Sequence, residues 1–572
     1  MFHHRNYGNV LSPSVGVGKE KSSSACEFNP DEVNRTFLSS FTQSEHGSGP
    51  RSLAADSPYS FSFQPVEGWQ VVNAVFHVKT NATGLDGLPI KFIKIVLPLV
   101  LQPIIHLFNS IIVTSVFPTC WKHAKILPLR KKPHFSALTN LRPISILCAL
   151  SKVFEKLLEQ QMSSFITANN LLSEHQAGFR KGQSIQTATA RVFDDLARTT
   201  DRRGSAVLLL LDFSKAFDTI PHHKLCTKLE THFNFGPSAV NLVRSYLDKR
   251  RQTVFCGDQK SESSFVVSGV PQGSIVGPLL FCCHVNDLPP VLRYCSIQLY
   301  ADDVQLYIGR LGPCSRDPIR MVNEDLDRIA VWSQRNQLFV NQSKSKALLV
   351  QGRRRNTAQL DMLPRITMSG QVIEWVDSAK NLGFIFQADL QWDRLIQQQC
   401  GKIYGSLRTL RNCTTAAPVS TRLKLFKSLI LPHFLFGELL HVNPSAGALD
   451  RLRVALNCCV RYVYGLSRYA HVRHLQRNLI GCPLDKLYAH RSCLFLRKLI
   501  ITRSPPELYQ KLQLFRSRRL MNWIIPSNRT LTYSSSLFVR GVVNWNMLPT
   551  ELKHVASETA FKRNCLEFWN RG

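Results

Sequence analysis

The order of apolar and polar residues predicts two stretches of β-structure that each end in carboxylates. Residues 206–211 form a continuous apolar run that is too short for a core helix and is typical of a strand buried on both faces. This run stops at Asp212. In residues 296–309, SIQLYADDVQLYIG, apolar and polar residues alternate up to Tyr300 and again after Asp303. That pattern predicts a strand, a tight turn and a second strand.

Helical periodicity predicts most of the remaining structure. Residues 149–166 carry apolar side chains on one helical face, and residues 186–200 and 87–115 have the same kind of pattern. A short helix is predicted at residues 31–41. Other stretches are a basic extended piece at 120–133, a Gly/Pro-rich turn running into an apolar helix at 268–288, and a helical, basic region after Asp389.

The most apolar segment, residues 95–117, raises the question of a membrane span. Its unbroken apolar runs are short, and a transmembrane helix needs about 20 consecutive apolar residues. We therefore predict buried helices here and no membrane partner. The polar and helix-breaking residues that interrupt the segment are Pro98, Gln102, Pro103, His106 and Asn109.

The first 60 residues are rich in Ser, Gly and Asn, which predicts a disordered leader ending in a linker. The segment MFHHRNYGNV lacks the apolar core of a signal peptide. Sixteen cysteines are scattered without a C-x2-C repeat, which favours reduced, mostly buried thiols in an intracellular protein. A zinc site is a weak alternative, built from Cys458, His471, His474 and Cys482.

Charge narrows the class of partner. Lys and Arg number 71 against 39 Asp and Glu, which gives a net charge of +32 and a pI near 9.8. Such an excess repels itself unless it meets a polyanion, so nucleic acid is the leading partner. An anionic membrane is the alternative, but the basic residues are spread along the chain as expected for an extended channel.

The carboxylates Asp212, Asp302 and Asp303 need an explanation. A carboxylate at the end of a buried strand is costly without a partner, and two adjacent carboxylates repel each other. A solvated hairpin tip is one explanation. A divalent-metal site is the other, and hard oxygen ligands favour Mg²⁺, which also binds substrate phosphates. Two such ions can activate a hydroxyl nucleophile and stabilise a pyrophosphate leaving group, which points to nucleotidyl transfer.

A series of motifs occurs in one order along the chain. The first group is TGLDGLP, WKHAKILPLRKKP, LRPISIL, SKVFEKLL and HQAGFRKGQSIQTA. The second is LDFSKAFDTIPHHKL, SGVPQGSIVGPLLF, LYADDVQLY, NQSKSKALLV, AKNLGFIFQADLQW and VVNWNMLPTEL. Together they resemble the reverse transcriptases of non-LTR retrotransposons, the LINE-type and especially the jockey-like elements. The resemblance runs from about residue 28 to the end.

The resemblance implies an RNA-directed DNA polymerase that copies retrotransposon RNA. The implied fold class is α+β, a right-hand polymerase with fingers, a palm with an antiparallel sheet, a thumb and a mainly helical carboxy-terminal region. The implied partners are an RNA template, a DNA primer or target and deoxynucleoside triphosphates, with residence in the nucleus during integration; the oligomeric state is left open. The expected boundaries are a leader at 1–60, an extension of the fingers at 61–110, fingers and palm at 111–387, the thumb at 388–450 and the carboxy-terminal region at 451–572.

The resemblance assigns the catalytic metal ligands to Asp212, Asp302 and Asp303, holding two Mg²⁺ ions, with Mn²⁺ as an alternative. Lys344 matches a lysine proposed to protonate the leaving pyrophosphate, although a Lys in a Ser/Lys-rich loop is often simply solvated. Phe217 matches the bulky gate that excludes a ribose 2′-hydroxyl; a core Phe beneath the strand is the alternative.

Further residues match nucleotide-binding positions of the family. Gln272 and Gly273 match a turn near the template and the incoming nucleotide, where glycine permits a close backbone approach. Arg142, Lys152 and Arg180 lie in segments like those of the fingers and are expected to clamp the triphosphate or to hold the template backbone.

Two departures from the family pattern limit the expectation. The chain has no room before residue 60 for the apurinic-type endonuclease that such elements usually encode, and Gln387 replaces a frequent acidic residue. We therefore expect the polymerase-bearing part of a longer element protein, from a truncated copy or a shortened gene model. The alternatives are a catalytically silent RNA-binding remnant, a maturase-like splicing factor and a non-enzymatic nucleic-acid-binding protein.

Overall fold

The computed structural model describes residues 28–39, 60–131, 137–310, 317–352, 364–413, 416–440, 442–512 and 522–571. The chain divides into two compact units. The first unit comprises residues 1–161 and 236–277, and the second comprises residues 162–235 and 278–572. Most of the predicted leader, Lys132 of the basic extended piece and residues 513–521 lie outside the described residues.

The described residues form thirteen β-strands. They are β1 (His123–Arg130), β2 (Leu141–Ile146), β3 (Ser205–Asp212), β4 (Arg250–Cys256), β5 (Gln259–Lys260), β6 (Ser264–Val266), β7 (Ser296–Tyr300), β8 (Asp303–Arg310), β9 (Lys346–Val350), β10 (Ile366–Met368), β11 (Gln371–Trp375), β12 (Ser378–Asn381) and β13 (Phe384–Gln387).

The same residues form twenty α-helices, joined by short 3₁₀ and π turns. They are α1 (Pro30–Leu38), α2 (Gly68–His77), α3 (Ile90–Thr114), α4 (Ala149–Ala168), α5 (Ile185–Asp201), α6 (His222–Thr231), α7 (Pro237–Leu247), α8 (Gly277–Val285), α9 (Pro318–Asn336), α10 (Asp393–Cys413), α11 (Val419–Leu425), α12 (Leu431–Leu435), α13 (Ala446–Tyr464), α14 (Gln476–Ile480), α15 (Leu484–Thr502), α16 (Pro506–Gln510), α17 (Leu531–Ser534), α18 (Val542–Asn546), α19 (Thr550–Lys553) and α20 (Glu558–Arg571).

These elements confirm the main predictions from the hydrophobic pattern. The buried strand that ends at Asp212 is β3, and the strand–turn–strand pattern is the hairpin of β7 and β8. The predicted helices correspond to α1, α3, α4, α5 and α8, and the described residues from Asp393 onward are mainly helical. The fold is a mixture of sheets and many helices.

The first unit is built on a five-stranded sheet. Strand β1 pairs with β2 in antiparallel fashion and with β4 in parallel fashion, while β5 and β6 both pair with β4. Val33 and Phe37 of helix α1 pack with Ile126 and Val254 of this sheet. The predicted short helix is thus observed as α1 and is part of a hydrophobic core, so residues 28–39 do not fit the prediction of a disordered leader.

Helix α3 differs from the prediction that its segment is buried. One stripe, including Leu97 and Phe108, is buried, but Ile95 and Val113 are 77% exposed and Leu99 is 84% exposed. The helix is apolar around much of its circumference, and in the first unit the neighbouring helix α2 covers only part of it. Among the described helices, α3 alone has the length and composition that could cross a membrane, and 22% of its apolar window is buried.

The second unit is built on a six-stranded sheet with the strand order β10-β11-β9-β3-β8-β7. Strand β3 lies between β8 and β9 and pairs with both in antiparallel fashion. Its residues Leu208 and Leu209 are fully buried, on opposite faces of the strand, as the continuous apolar run predicted. Strand β3 is therefore a rigid support for the residue at its end, Asp212.

The carboxy-terminal helices of the second unit pack into two apolar clusters. Ile403 of α10 and Leu456 of α13 lie in one cluster, and Leu496 of α15, Trp545 of α18 and Phe561 of α20 lie in the other. All five side chains are at most 1% exposed. The region thus has a hydrophobic core of its own.

The same region is attached to helix α5 beside the central sheet. Lys511 donates from Nζ to Asp194 Oδ2 at 2.9 Å and to Asp195 Oδ1 at 2.6 Å. The carboxylate of Asp201, at the end of α5, accepts from the backbone nitrogens of Arg529 and Thr530 at 2.8 and 2.6 Å. Because the side chain of Asp194 is 1% exposed, its charge depends on these partners.

We predict that Lys511→Met destabilises the second unit. The change removes one cation from the buried carboxylate of Asp194 and leaves its pair with Arg198. Breaking a buried ion pair is strongly destabilising, here by about 3 kcal/mol. Thermal unfolding of the whole chain measures the effect. Arg320→Met, which removes an exposed pair with Glu324, is the matched control and should cost less than about 0.5 kcal/mol. Equal, small shifts for both variants would contradict the prediction.

Candidate active site

The three predicted aspartates meet at one edge of the central sheet. Asp212 is the last residue of β3 and lies directly opposite Asp303, the first residue of β8, in the antiparallel register. Asp302 lies in the turn between β7 and β8. The backbone ladder therefore holds two of the carboxylates against each other and places the third beside them.

The negative charges of these residues repel one another. Burial, followed by the neighbouring charges of Asp302 and Asp212, raises the pKa of Asp303 to about 7. The side-chain amide of Asn381 donates to Asp303 Oδ1 at 3.2 Å and acts against that rise. The amide of Asn381 is itself held by Gln305. The edge of the sheet thus carries an excess of negative charge.

Lys344 is the cation next to this edge. Its Nζ lies 3.2 Å from Asp212 Oδ2, and its side chain is 63% exposed. The loop that carries it is tied to β3, because Asn341 N donates to Asp212 O at 2.6 Å and Asp212 N donates to Ser345 Oγ at 3.3 Å. An exposed ion pair is worth little in stability, so Lys344 can move relative to Asp212 at small cost.

The donor set of this edge fits a hard divalent cation. Carboxylate oxygens such as those of these three aspartates are the ligands that Mg²⁺ prefers. Within the described ranges, no group of three His, Cys, Asp or Glu side chains is already arranged to hold a metal ion. Instead, the carboxylates of Asp212 and Asp303 contact Lys344 and Asn381. Among the described residues, neither the three aspartates nor the zinc alternative in the carboxy-terminal region is pre-arranged as a metal site.

Phe217 lies a few residues beyond β3 and is partly exposed. Its ring stacks on that of Phe281, with centroids 4.5 Å apart and an interplanar angle of 22°, and meets Phe179 edge-on at 6.5 Å. Phe281 is fully buried. The ring of Phe217 therefore rests on the core with part of its surface open to solvent.

Arg180 is engaged with the backbone of its own segment. Its Nη1 donates to the carbonyl oxygens of Ser173 and Gln176 at 2.8 and 3.2 Å. The guanidinium thus braces the loop that precedes α5. These two contacts use Nη1, and a guanidinium has five N–H donors in all.

The other predicted residues lie in the first unit. Arg142 is exposed on β2, whereas Lys152 on α4 is 6% exposed, and burial lowers its pKa. Gly273 has φ of +123°, and a Cβ there would lie 2.5 Å from the carbonyl oxygen of Ser145, so this turn requires glycine. Gln272 precedes it, and its carbonyl accepts from Ser145 N at 2.7 Å.

A buried carboxylate also holds this turn. Glu155 on α4 is fully buried and accepts from the backbone nitrogen of Ile275 at 2.8 Å. The position of Glu155 relative to the turn does not follow from the sequence pattern. The same is true of Asn381 and of Gln176, which contacts the turn before Asp302. In the sequence, these three residues are marked only by their places in family motifs: Glu155 in SKVFEKLL, Asn381 in AKNLGF and Gln176 in HQAGFR.

Comparison with known proteins confirms the resemblance. Residues 129–386 match the family described as Reverse transcriptase (RNA-dependent DNA polymerase). The chain is 25% identical over 486 residues to the probable RNA-directed DNA polymerase from transposon BS of Drosophila melanogaster, which covers 82% of this chain and 52% of that protein. It is 26% identical over 453 residues to the probable RNA-directed DNA polymerase from transposon X-element of the same organism, a match that covers 77% of this chain and 48% of that protein. It is 24% identical over 410 residues to the RNA-directed DNA polymerase from mobile element jockey of Drosophila melanogaster, a match that covers 70% of this chain and 44% of that protein. The chain spans about half the length of these curated relatives.

We predict that Asp303→Asn stabilises the metal-free protein in a pH-dependent manner. The carboxyl titrates near pH 7 in the folded state and near 3.9 in the unfolded state, so the folded state binds more protons between these values. Protonated Asp303 therefore contributes its full stability below about pH 4. This contribution decreases as the pH rises and is lost once the pH passes 7. We therefore expect the variant to be more stable than the parent at pH 8 in EDTA, with a free energy of unfolding larger by on the order of 1–2 kcal/mol and a higher unfolding temperature. We expect this difference in stability to be smaller at pH 5.

Asp258→Asn is the matched control, because Asp258 is an exposed carboxylate in the turn between β4 and β5. It should leave the unfolding temperature unchanged at both pH values. A gain for Asp303→Asn that is the same at pH 5 and pH 8 would show that charge repulsion is not its cause.

Proposed function

We propose that this chain, which contains a reverse transcriptase domain related to those of transposons, is an RNA-directed DNA polymerase that copies retrotransposon RNA into DNA. The observation that carries the proposal is the convergence of Asp212, Asp302 and Asp303 at one sheet edge within the matched domain. Three mutually repelling carboxylates are costly to a fold unless a cation and its substrate belong there. The relatives named above, each called an RNA-directed DNA polymerase of a transposon or mobile element, support the same activity.

The proposed layout is that of a right-hand polymerase. The six-stranded sheet of the second unit is the palm, because it carries the three aspartates. The five-stranded sheet of the first unit belongs to the fingers, and the helices from α10 onward form the thumb and the carboxy-terminal region. The boundaries near residues 60, 110, 387 and 450 are part of this proposal.

Asp212, Asp302 and Asp303 would hold the divalent metal, two Mg²⁺ ions with Mn²⁺ as a substitute, which lowers the pKa of a primer hydroxyl and neutralises phosphate charge. In the reaction the primer 3′-hydroxyl loses its proton to water, its oxygen bonds to the α-phosphorus of a deoxynucleoside triphosphate, and the bond from that phosphorus to pyrophosphate breaks. The ammonium of Lys344, beside Asp212, is the proposed donor of a proton to the leaving pyrophosphate.

The proposed substrates are an RNA template, a DNA primer and deoxynucleoside triphosphates. Phe217 is the proposed gate against a 2′-hydroxyl, since its partly exposed ring is fixed from below by Phe281. Gln272 and Gly273 are proposed to lie near the template and the incoming nucleotide. Arg142, Lys152 and Arg180 are the proposed contacts to the triphosphate or the template backbone; exposed Arg142 fits this role most readily, and buried Lys152 least.

We predict that the purified protein extends a DNA primer on an RNA template with deoxynucleotides and Mg²⁺. Replacement of both hairpin aspartates, Asp302→Asn with Asp303→Asn, should lower the rate by at least about 10³-fold, because the charge that binds the cation is removed. Asp258→Asn in the first unit should leave the rate unchanged. A folded parent that binds RNA but makes no product would replace this proposal with a silent remnant. A parent that promotes splicing without extension would replace it with a maturase.

We predict that Phe217→Val relaxes the choice of sugar. The ratio of kcat/KM for a deoxynucleotide to that for the matching ribonucleotide should fall at least about 10-fold, because the smaller side chain leaves space for a 2′-hydroxyl. Phe213→Leu, a change at a buried ring packed on Trp332, should reduce stability without changing that ratio. If Phe217→Val lowers kcat/KM equally for both sugars and lowers the unfolding temperature, Phe217 is a core residue.

A further inference from the structure

We propose that Gln176 is a positioning residue that fixes the turn carrying Asp302 and Asp303 and thereby sets the affinity of this edge for a divalent cation. Its effect on polymerisation rests on the function proposed above, but its effect on the turn does not. The proposal is based on three features of the second unit: the contacts of the Gln176 amide, the backbone conformation of Ala301 and the close approach of Gly178.

The side-chain amide of Gln176 holds the residue that precedes Asp302. Its Oε1 accepts from Ala301 N at 3.0 Å and from Gly178 N at 2.8 Å. Its Nε2 donates to Ala301 O at 3.4 Å. Gln176 is fully buried, so water cannot replace these contacts. One side chain therefore satisfies both backbone polar groups of Ala301.

Ala301 adopts a backbone conformation that needs such support. Its φ is +56°, in the left-handed region that costs a residue with a Cβ about 1 kcal/mol or more. Such conformations persist where surrounding contacts fix them. This conformation also turns the chain from β7 into β8, so it determines where Asp302 lies relative to the sheet.

The segment that carries Gln176 lies against β7 as an added backbone partner. Ala177 N donates to Leu299 O at 2.9 Å, and Leu299 N donates to His175 O at 2.8 Å. Gly178 then passes so close to the turn that a Cβ there would lie 2.3 Å from Ala301 N. The backbone of residues 175–178 thus supports the hairpin on the β7 side.

The hairpin depends on this support because its two carboxylates are held unequally. Asp303 belongs to β8, which pairs along its length with β3. Asp302 lies outside the ladder and directly follows Ala301, whose backbone conformation turns the chain there. Loss of the Gln176 amide should therefore disturb the turn with little effect on the sheet itself.

The neutral charge of Gln176 is also significant. An arginine or lysine in its place would supply the same kind of donor but would also neutralise the carboxylates. An amide orients the turn and leaves the negative charge available to a cation.

The test is the binding of Mn²⁺ to the protein without substrates, measured by electron paramagnetic resonance, with Mg²⁺ as competitor. Gln176→Leu keeps the side-chain size but removes both donor and acceptor, and we expect Mn²⁺ to bind at least about 5-fold more weakly. Gln399→Leu is the matched control: Gln399 is 2% exposed and donates to Phe436 O near α12. It should lower the unfolding temperature by a similar amount and leave Mn²⁺ binding unchanged.

Two further variants keep the proposal testable if Gln176→Leu fails to fold. Gln176→Glu retains an oxygen that accepts from Ala301 N and Gly178 N, so Mn²⁺ should bind at least as tightly as to the parent. Gly178→Ala displaces Ala301 from the other side, and it should weaken Mn²⁺ binding as Gln176→Leu does. Unchanged Mn²⁺ binding in Gln176→Leu or Gly178→Ala, or equal losses in Gln176→Leu and Gln399→Leu, would overturn the proposal.

This experiment separates the two proposals. A parent that binds Mn²⁺ in a Gln176-dependent manner but does not extend a primer would contradict the polymerase function and leave the role of Gln176 intact. A parent that extends primers while Gln176→Leu binds Mn²⁺ normally would contradict only the role of Gln176.

Discussion

Repulsion among three carboxylates is the constraint on which the rest of the second unit depends. The register of β3 and β8 sets Asp212 opposite Asp303, and the pKa of Asp303 rises to about 7 because burial and two neighbouring charges disfavour its ionised form. Like charges at this distance cost stability, which other contacts must offset. Strand β3 supplies the first of these contacts, since it is hydrogen-bonded on both sides, to β8 and to β9, and its apolar residues are buried on both faces.

Further contacts fix the hairpin from outside the ladder. The carboxylate of Asp325 on α9 accepts from the backbone nitrogens of Arg293, Tyr294 and Cys295, just before β7 begins, at 2.8–2.9 Å. Burial alone would raise the pKa of Asp325, but these three donors lower it, so the group stays ionised and bound. Helix α5, behind the sheet, is held in turn by Lys511. Residues far apart in sequence thus stabilise one turn.

The sequence predicts the parts of this site that depend on local pattern. The apolar run before Asp212 and the alternation around Asp302 follow from the burial of strands on one or both faces, so β3, β7 and β8 could be predicted. The partners of these residues could not. Gln176 and Asn381 reach the turn through contacts separated by more than 70 residues, and no periodicity encodes such pairings. The exposure of α3 was missed for a related reason: an apolar composition indicates what a helix can bury, whereas its neighbours decide what it does bury.

The choice of side chains around the carboxylates follows from the need to keep their charge. Buried cations next to Asp302 and Asp303 would relieve the repulsion permanently and would compete with any divalent ion. The structure uses the neutral amides of Gln176 and Asn381 in contacts with this edge, and the ammonium of Lys344, which pairs with Asp212, is exposed. An exposed ammonium dissociates at little cost, whereas an amide orients without neutralising. The three carboxylates therefore still repel one another in the folded, cation-free protein, and a bound cation can relieve that repulsion.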